Sequence, residues 1–97
     1  MTQVFYQPAA EKDLIAVWLA VADDLGSAEA DKYLNKIVEL CELIATQPEM
    51  GPERIDVAEG VRAFPIDRYV VFYEARHGEL RILRIWHSAQ DPKSLNV

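Results

Sequence analysis

The 97-residue chain is 51% hydrophobic and 27% charged, so it is expected to form one folded domain with a modest core and not a disordered chain. Its longest apolar run, LIAVWLAVA, is far too short to span a membrane, and MTQVFYQP has no basic stretch followed by an apolar one, so neither a membrane association nor a secretory signal is expected. A net charge of −6 argues against direct nucleic-acid binding, which depends on Lys and Arg clustered at phosphates.

QVFY is β-prone and is the expected first strand. Pro8 then suits the first turn of a helix, where its missing N–H costs nothing. From Leu14 onward the spacing predicts an amphipathic helix, with Leu14, Ile15, Trp18, Val21, Ala22 and Leu25 on one side. Asp13, Ala16, Ala20, Asp23 and Asp24 fall on the other. Gly26 stops this helix, and Ser27 is expected to cap the next, with Glu29 complementing its positive start. The second helix gathers Ala30, Tyr33, Leu34, Ile37, Val38, Cys41, Ile44 and Ala45 on one face and ends at Pro48. Helices joined by Gly-Ser run antiparallel. The single Cys41 has no internal disulfide partner. It is expected to be a buried small hydrophobe in a protein of the reducing cytoplasm.

PEMGPERIDVAEG follows as a loop. Three strands come next: VRAFPI, YVVFYEA and ELRILRIWH, with DR and HG as turns and Gly78 supplying positive φ. The order β-α-α-β-β-β over residues 1–97 predicts a single α+β domain, with the helical hairpin on a mainly antiparallel sheet. Strict alternation would place Leu80, Ile82, Arg84 and Trp86 on one side of the last strand and Arg81, Leu83, Ile85 and His87 on the other. One sheet face then covers the helices. The other mixes apolar residues with arginines, as a groove filled by another chain does.

Charge is unevenly spread. Residues 1–60 carry 12 acids and 4 bases, a net of −8, whereas residues 61–97 carry 4 acids and 6 bases, a net of +2. Such asymmetry often marks a functional face.

These pieces, in this order, resemble the RelE/ParE superfamily of bacterial toxins from type II toxin–antitoxin modules. The resemblance runs through AAEKDLIAVWLAVA, LIATQPEMG, EGVRAFPIDRYVVFYEA with its Gly60 and Arg62, and LRILRIWHSAQD, and so covers nearly the whole chain. PEMG with Arg54 a few residues on, then GVR, then YVVFY, is closer to ParE than to RelE. The resemblance implies the fold read above. It also implies inhibition of DNA gyrase by binding, with growth arrest and plasmid stabilisation as outcomes, and neutralisation by a cognate antitoxin. DNA is engaged only indirectly, through gyrase or the antitoxin. RelE-type relatives instead cut messenger RNA on the ribosome. Close relatives usually carry Arg-Asp shortly after the histidine. Here it is Gln90-Asp91, which weakens any phosphate contact at that position.

RNA cleavage needs a base, a cation at the phosphate and an acid. Arg62 and Arg81 are candidate phosphate holders, His87 a candidate acid matching the histidine of some RNA-cleaving relatives, and Glu53 or Glu59 a candidate base. Against this stands a chain with no lysine between Lys36 and Lys93, whose loop at 48–60 holds four acids and one base and would repel RNA. No metal-ligand spacing or phosphate-binding loop is present in the sequence, so no cofactor is expected. The sequence therefore favours a binding toxin over an enzyme, with Arg54, Arg62, Arg81, Arg84, Trp86 and His87 as the surface for target and antitoxin. An mRNA endonuclease, or a non-toxic relative that keeps antitoxin binding, are the alternatives.

Overall fold

The computed structural model describes residues 2–95. Its elements are β1 (Gln3–Tyr6), α1 (Pro8–Leu25), α2 (Ser27–Thr46), β2 (Arg62–Ile66), β3 (Tyr69–Arg76) and β4 (Glu79–His87), with a 3-10 turn at Pro92–Ser94. The strands lie in the order β1-β4-β3-β2, so the last strand is central. β2, β3 and β4 form an antiparallel meander, and β1 lies parallel to β4. At the β3–β4 turn His77 and Gly78 both take positive φ, 53° and 76°, the pair a two-residue hairpin needs to match strand twist.

Pro8 opens α1 as expected. Gly26, at φ 95°, closes it and at once precedes α2. With no residue between the helices, the cap position of α2 is the glycine itself. Ser27 is already helical and its side chain caps nothing, contrary to the sequence expectation. The core face of α2 is the predicted one: Ala30, Ile37, Cys41 and Ile44 are fully buried.

The buried stripe of α1 is rotated from the predicted one. Ala10 and Val17 are buried and Leu14 and Val21 pack beside them, while Ile15 and Leu25 are 62% and 64% exposed. Asp13 faces the sheet. The reason lies in β1, which pairs with β4 only as far as Ile82. Beyond that point α1 lies alongside the uncovered part of β4. Its inward line is therefore Ala10, Leu14, Val17, Val21, a four-three-four spacing that keeps one helix face on the strand.

Alternation in β4 also breaks. The register runs Tyr73↔Ile82 and then Phe72↔Arg84, leaving Leu83 as the extra residue of a β-bulge. Ile82 and Ile85 consequently both point to the helices, whereas Leu83 and Trp86 join Val61, Ala63 and Phe72 on the outer face. That face is largely not an open groove. The chain's own Val57, Ala58 and Leu95 pack over it.

The loop after α2 is held by Tyr73, whose ring is fully buried. Its hydroxyl donates to Pro48 O at 2.8 Å and accepts from Gly51 N–H at 3.0 Å. Pro52 O then accepts from Ala63 N–H, and Arg54 N–H is donated to Val61 O, so residues 52–54 cover the start of the β2 edge. Further along that edge Pro65 has no N–H to offer.

Candidate protein-recognition groove

Where α1 runs beside the end of β4, a cleft of about 440 Å³ opens between Asp13, Ala16, Tyr69, Arg84, His87 and Gln90. A second cleft of about 390 Å³, bordered by Val21, Leu25, Tyr33 and Arg68, shares Tyr69 and His87 with the first. Together they form one groove along α1. Its waist is Tyr69 set edge-on to His87, with ring centres 5.2 Å apart. Ala16 and Ala20 line the helix side. Their small side chains are what leave the space.

One end of the groove is fixed by Asp13. Its carboxylate accepts from Arg84 Nε at 2.7 Å, from Arg84 Nη2 at 2.9 Å and from the Ile85 N–H at 3.0 Å. The fork-to-fork pair is the strong form of a charged hydrogen bond. It holds the Arg84 guanidinium even more firmly protonated than usual, against a smaller opposing effect of burial. The guanidinium also lies 4.9 Å from the Trp86 ring centre. Past the end of β1 the Ile85 amide would face an open edge, and the aspartate takes the place of the missing strand.

At the waist, His87 Nδ1 accepts from the Ala89 N–H at 3.1 Å. Whenever the ring is neutral its proton therefore sits on Nε2, as a donor.

The arginines elsewhere are mostly committed. Arg54 pairs with Asp56 through two bonds of 2.9 Å and lies over Phe72. The pairing keeps the Asp56 carboxyl below its ordinary range. Arg62 donates to Gly51 O at 2.8 Å and pairs with Glu53 at 3.3 Å. Arg81 pairs with Glu79, and Arg76 with Glu74. Among the described residues Arg68 makes no such pair.

A family model described as the ParE toxin of type II toxin-antitoxin system, parDE, matches residues 4–92. The chain belongs to the ParE toxin family. Toxin ParE3 of Caulobacter vibrioides is 30% identical over 73 residues, which span 75% of this chain and 73% of that one. Toxin ParE1 of Mycobacterium tuberculosis is 25% identical over 85 residues, 87% of each chain. In structure the chain is similar to one titled "Chromosomal ParDE TA system from P. aeruginosa", with a TM-score of 0.78, 24% identity, and coverage of 90% and 96% of the two chains.

In this ParE-family toxin the residues singled out from sequence fall into three places. Arg84, Trp86 and His87 belong to the groove. Arg54 and Arg62 hold the loop after α2, with Glu53 bound to Arg62 and Glu59 exposed nearby. Arg81 stands apart, beside Glu79 and opposite Glu74. The candidate cleavage set is thus dispersed: Arg81 and His87 are roughly 20 Å apart along one strand at its ordinary rise, and Arg62 lies two strands away from both. Sequence reading missed Asp13, Tyr69, Ala16 and Ala20 as groove residues. The available signal was Asp13 itself, an acid placed one helical turn from both Ala10 and Val17.

Proposed function

We propose that this ParE-family toxin acts in the cytoplasm by binding DNA gyrase, without catalysing a reaction, and that a cognate antitoxin neutralises it by filling the groove between α1 and β4. The observation that carries this reading is the fate of the arginines. Catalysis at a phosphate needs converging cations and a proton donor, whereas here Arg62, Arg81 and Arg84 each hold a carboxylate and none shares a site with another. What the molecule offers instead is a groove with an aromatic waist and a rigid polar end, the make-up of a protein-recognition surface. Membership of the ParE family supports both the partner and the target. The test is a supercoiling assay with purified toxin, gyrase and the product of the neighbouring reading frame. The expected result is loss of supercoiling that the neighbouring protein restores. Growth arrest in cells with supercoiling untouched in the assay would overturn the gyrase target.

A further inference from the structure

The two edges of the sheet are built differently. β2 is covered by residues 52–54 and blunted by Pro65, but among the described residues β1 is protected by neither device. Gln3 N–H is donated to Gly78 O and Gln7 N–H to Ile82 O, both toward β4. Alternation along the strand turns the N–H and C=O groups of Val4 and Tyr6 the other way. Among the described residues nothing bonds to them. Beside this edge lies a cleft of about 540 Å³ lined by Thr2, Val4, Glu42, Ala45 and Thr46. No residue from Thr2 to Ala10 is charged, and β1 has no proline, so the edge lacks the features that usually repel an added strand. Phe5, on the face away from the helices, is 45% exposed.

The cleft is electrically one-sided. Glu42 lines it, and so does the carbonyl end of α2, whose last turn carries no base. A helix C-terminus carries partial negative charge that a cation would offset.

We propose that β1 is a docking edge for an extended segment of a partner protein, which adds a strand to the four-stranded sheet and places a lysine or arginine against Glu42. Main-chain bonds to Val4 and Tyr6 supply the hold, and the basic side chain supplies selectivity. A second copy of the chain is the poorer occupant. It would bring an uncharged β1, an equally acidic α2 end and a further net charge of −6. The edge shares no lining residue with the α1–β4 groove, so it goes beyond the gyrase and antitoxin reading and fails or stands separately from it.

The test is amide hydrogen exchange on the whole toxin with two short peptides of alternating valine and threonine, one with a central lysine and one with glutamate there. The lysine peptide at millimolar concentration should slow exchange at Val4 and Tyr6 about tenfold, with the glutamate peptide well behind. Glu42→Gln should erase the difference between the peptides. Val4→Pro, which removes an outward N–H, should abolish protection at Tyr6, and Val4→Ala should keep it. No protection by either peptide would overturn the docking edge. Equal protection by both would overturn the role of Glu42. Protection that rises with toxin concentration alone would assign the edge to a second copy instead.

Discussion

Tyr73 ties a loop to the sheet through one hydroxyl, and Gly51 is the residue that lets it. A Cβ at position 51 would stand 2.5 Å from Ala63 O and 2.7 Å from the Tyr73 hydroxyl. Both neighbours are fixed, so Gly51→Ala should cost about 1–3 kcal/mol, as overpacking does. Tyr73→Phe leaves the Gly51 N–H and Pro48 O without their partner and should cost about 1–3 kcal/mol. Because that change also removes one clashing atom, the double variant should lose less than the two singles combined. Urea unfolding of the four proteins checks this. The motifs PEMG and VFY were both visible in the sequence. The bond between them was not, since only the fold brings residues 22 positions apart into contact. Cys41 was legible, and it is fully buried. Burial pushes its thiol up from 9.0 to about 11. A folded value above the unfolded one means stability that is intact below pH 9 and lost as pH rises through the folded value. The loss should be on the order of 2–3 kcal/mol. Urea midpoints across that range should fall for the wild type and fall less steeply for Cys41→Ala.

At the level of elements, the order of helices and strands follows from hydrophobic periodicity, and the faces of two of them do not. In α1 apolar residues occupy most of the helix circumference, so several faces satisfy a hydrophobic-inside rule. Contact with β4 selects the one containing Asp13. In β4 the period-two pattern is a rule about regular strands, and the extra residue at Leu83 suspends it. Arg84 stays on the side of Trp86 and Phe72, as alternation expected, but its guanidinium is tied to Asp13 of α1 and is not free in an open face. Asp13 joins the two misread elements. Asp13→Ala would strand both the Arg84 guanidinium and the Ile85 N–H, at a cost of about 2–3 kcal/mol. Asp13→Asn can still accept from the backbone and should lose less. A double-mutant cycle with Arg84→Met measures the coupling. Additive effects would show that the pair contributes nothing beyond its separate parts.

Across the whole molecule, the net of +2 in residues 61–97 marked that part of the chain as a candidate functional face. Folding cancels part of it, because Glu53 and Asp13 come from the acidic part of the chain to pair with Arg62 and Arg84, while Lys36 comes from the same part to pair with Asp67. Sequence composition gives the charges but not who meets whom. The groove was hidden for the same reason, since Asp13 and Arg84 are 71 positions apart. Charge pairs already satisfied within one partner contribute little to steering the other. Antitoxin association should therefore slow only a few-fold between low and high salt, where an exposed basic patch would give a steep decline. Stopped-flow mixing over a salt series measures it.

Pro65 has one further consequence. A sheet that grows by pairing strand to strand needs a free edge on each side of every unit, as an open filament needs two ends that fit. Among the described residues this molecule has a closed edge at β2 and an open one at β1. Whatever strand arrives at β1 ends the growth unless it brings an open edge of its own. Pairing through the sheet among copies of this chain would stop at two, so fibres built by that route are denied to it by Pro65 together with residues 52–54.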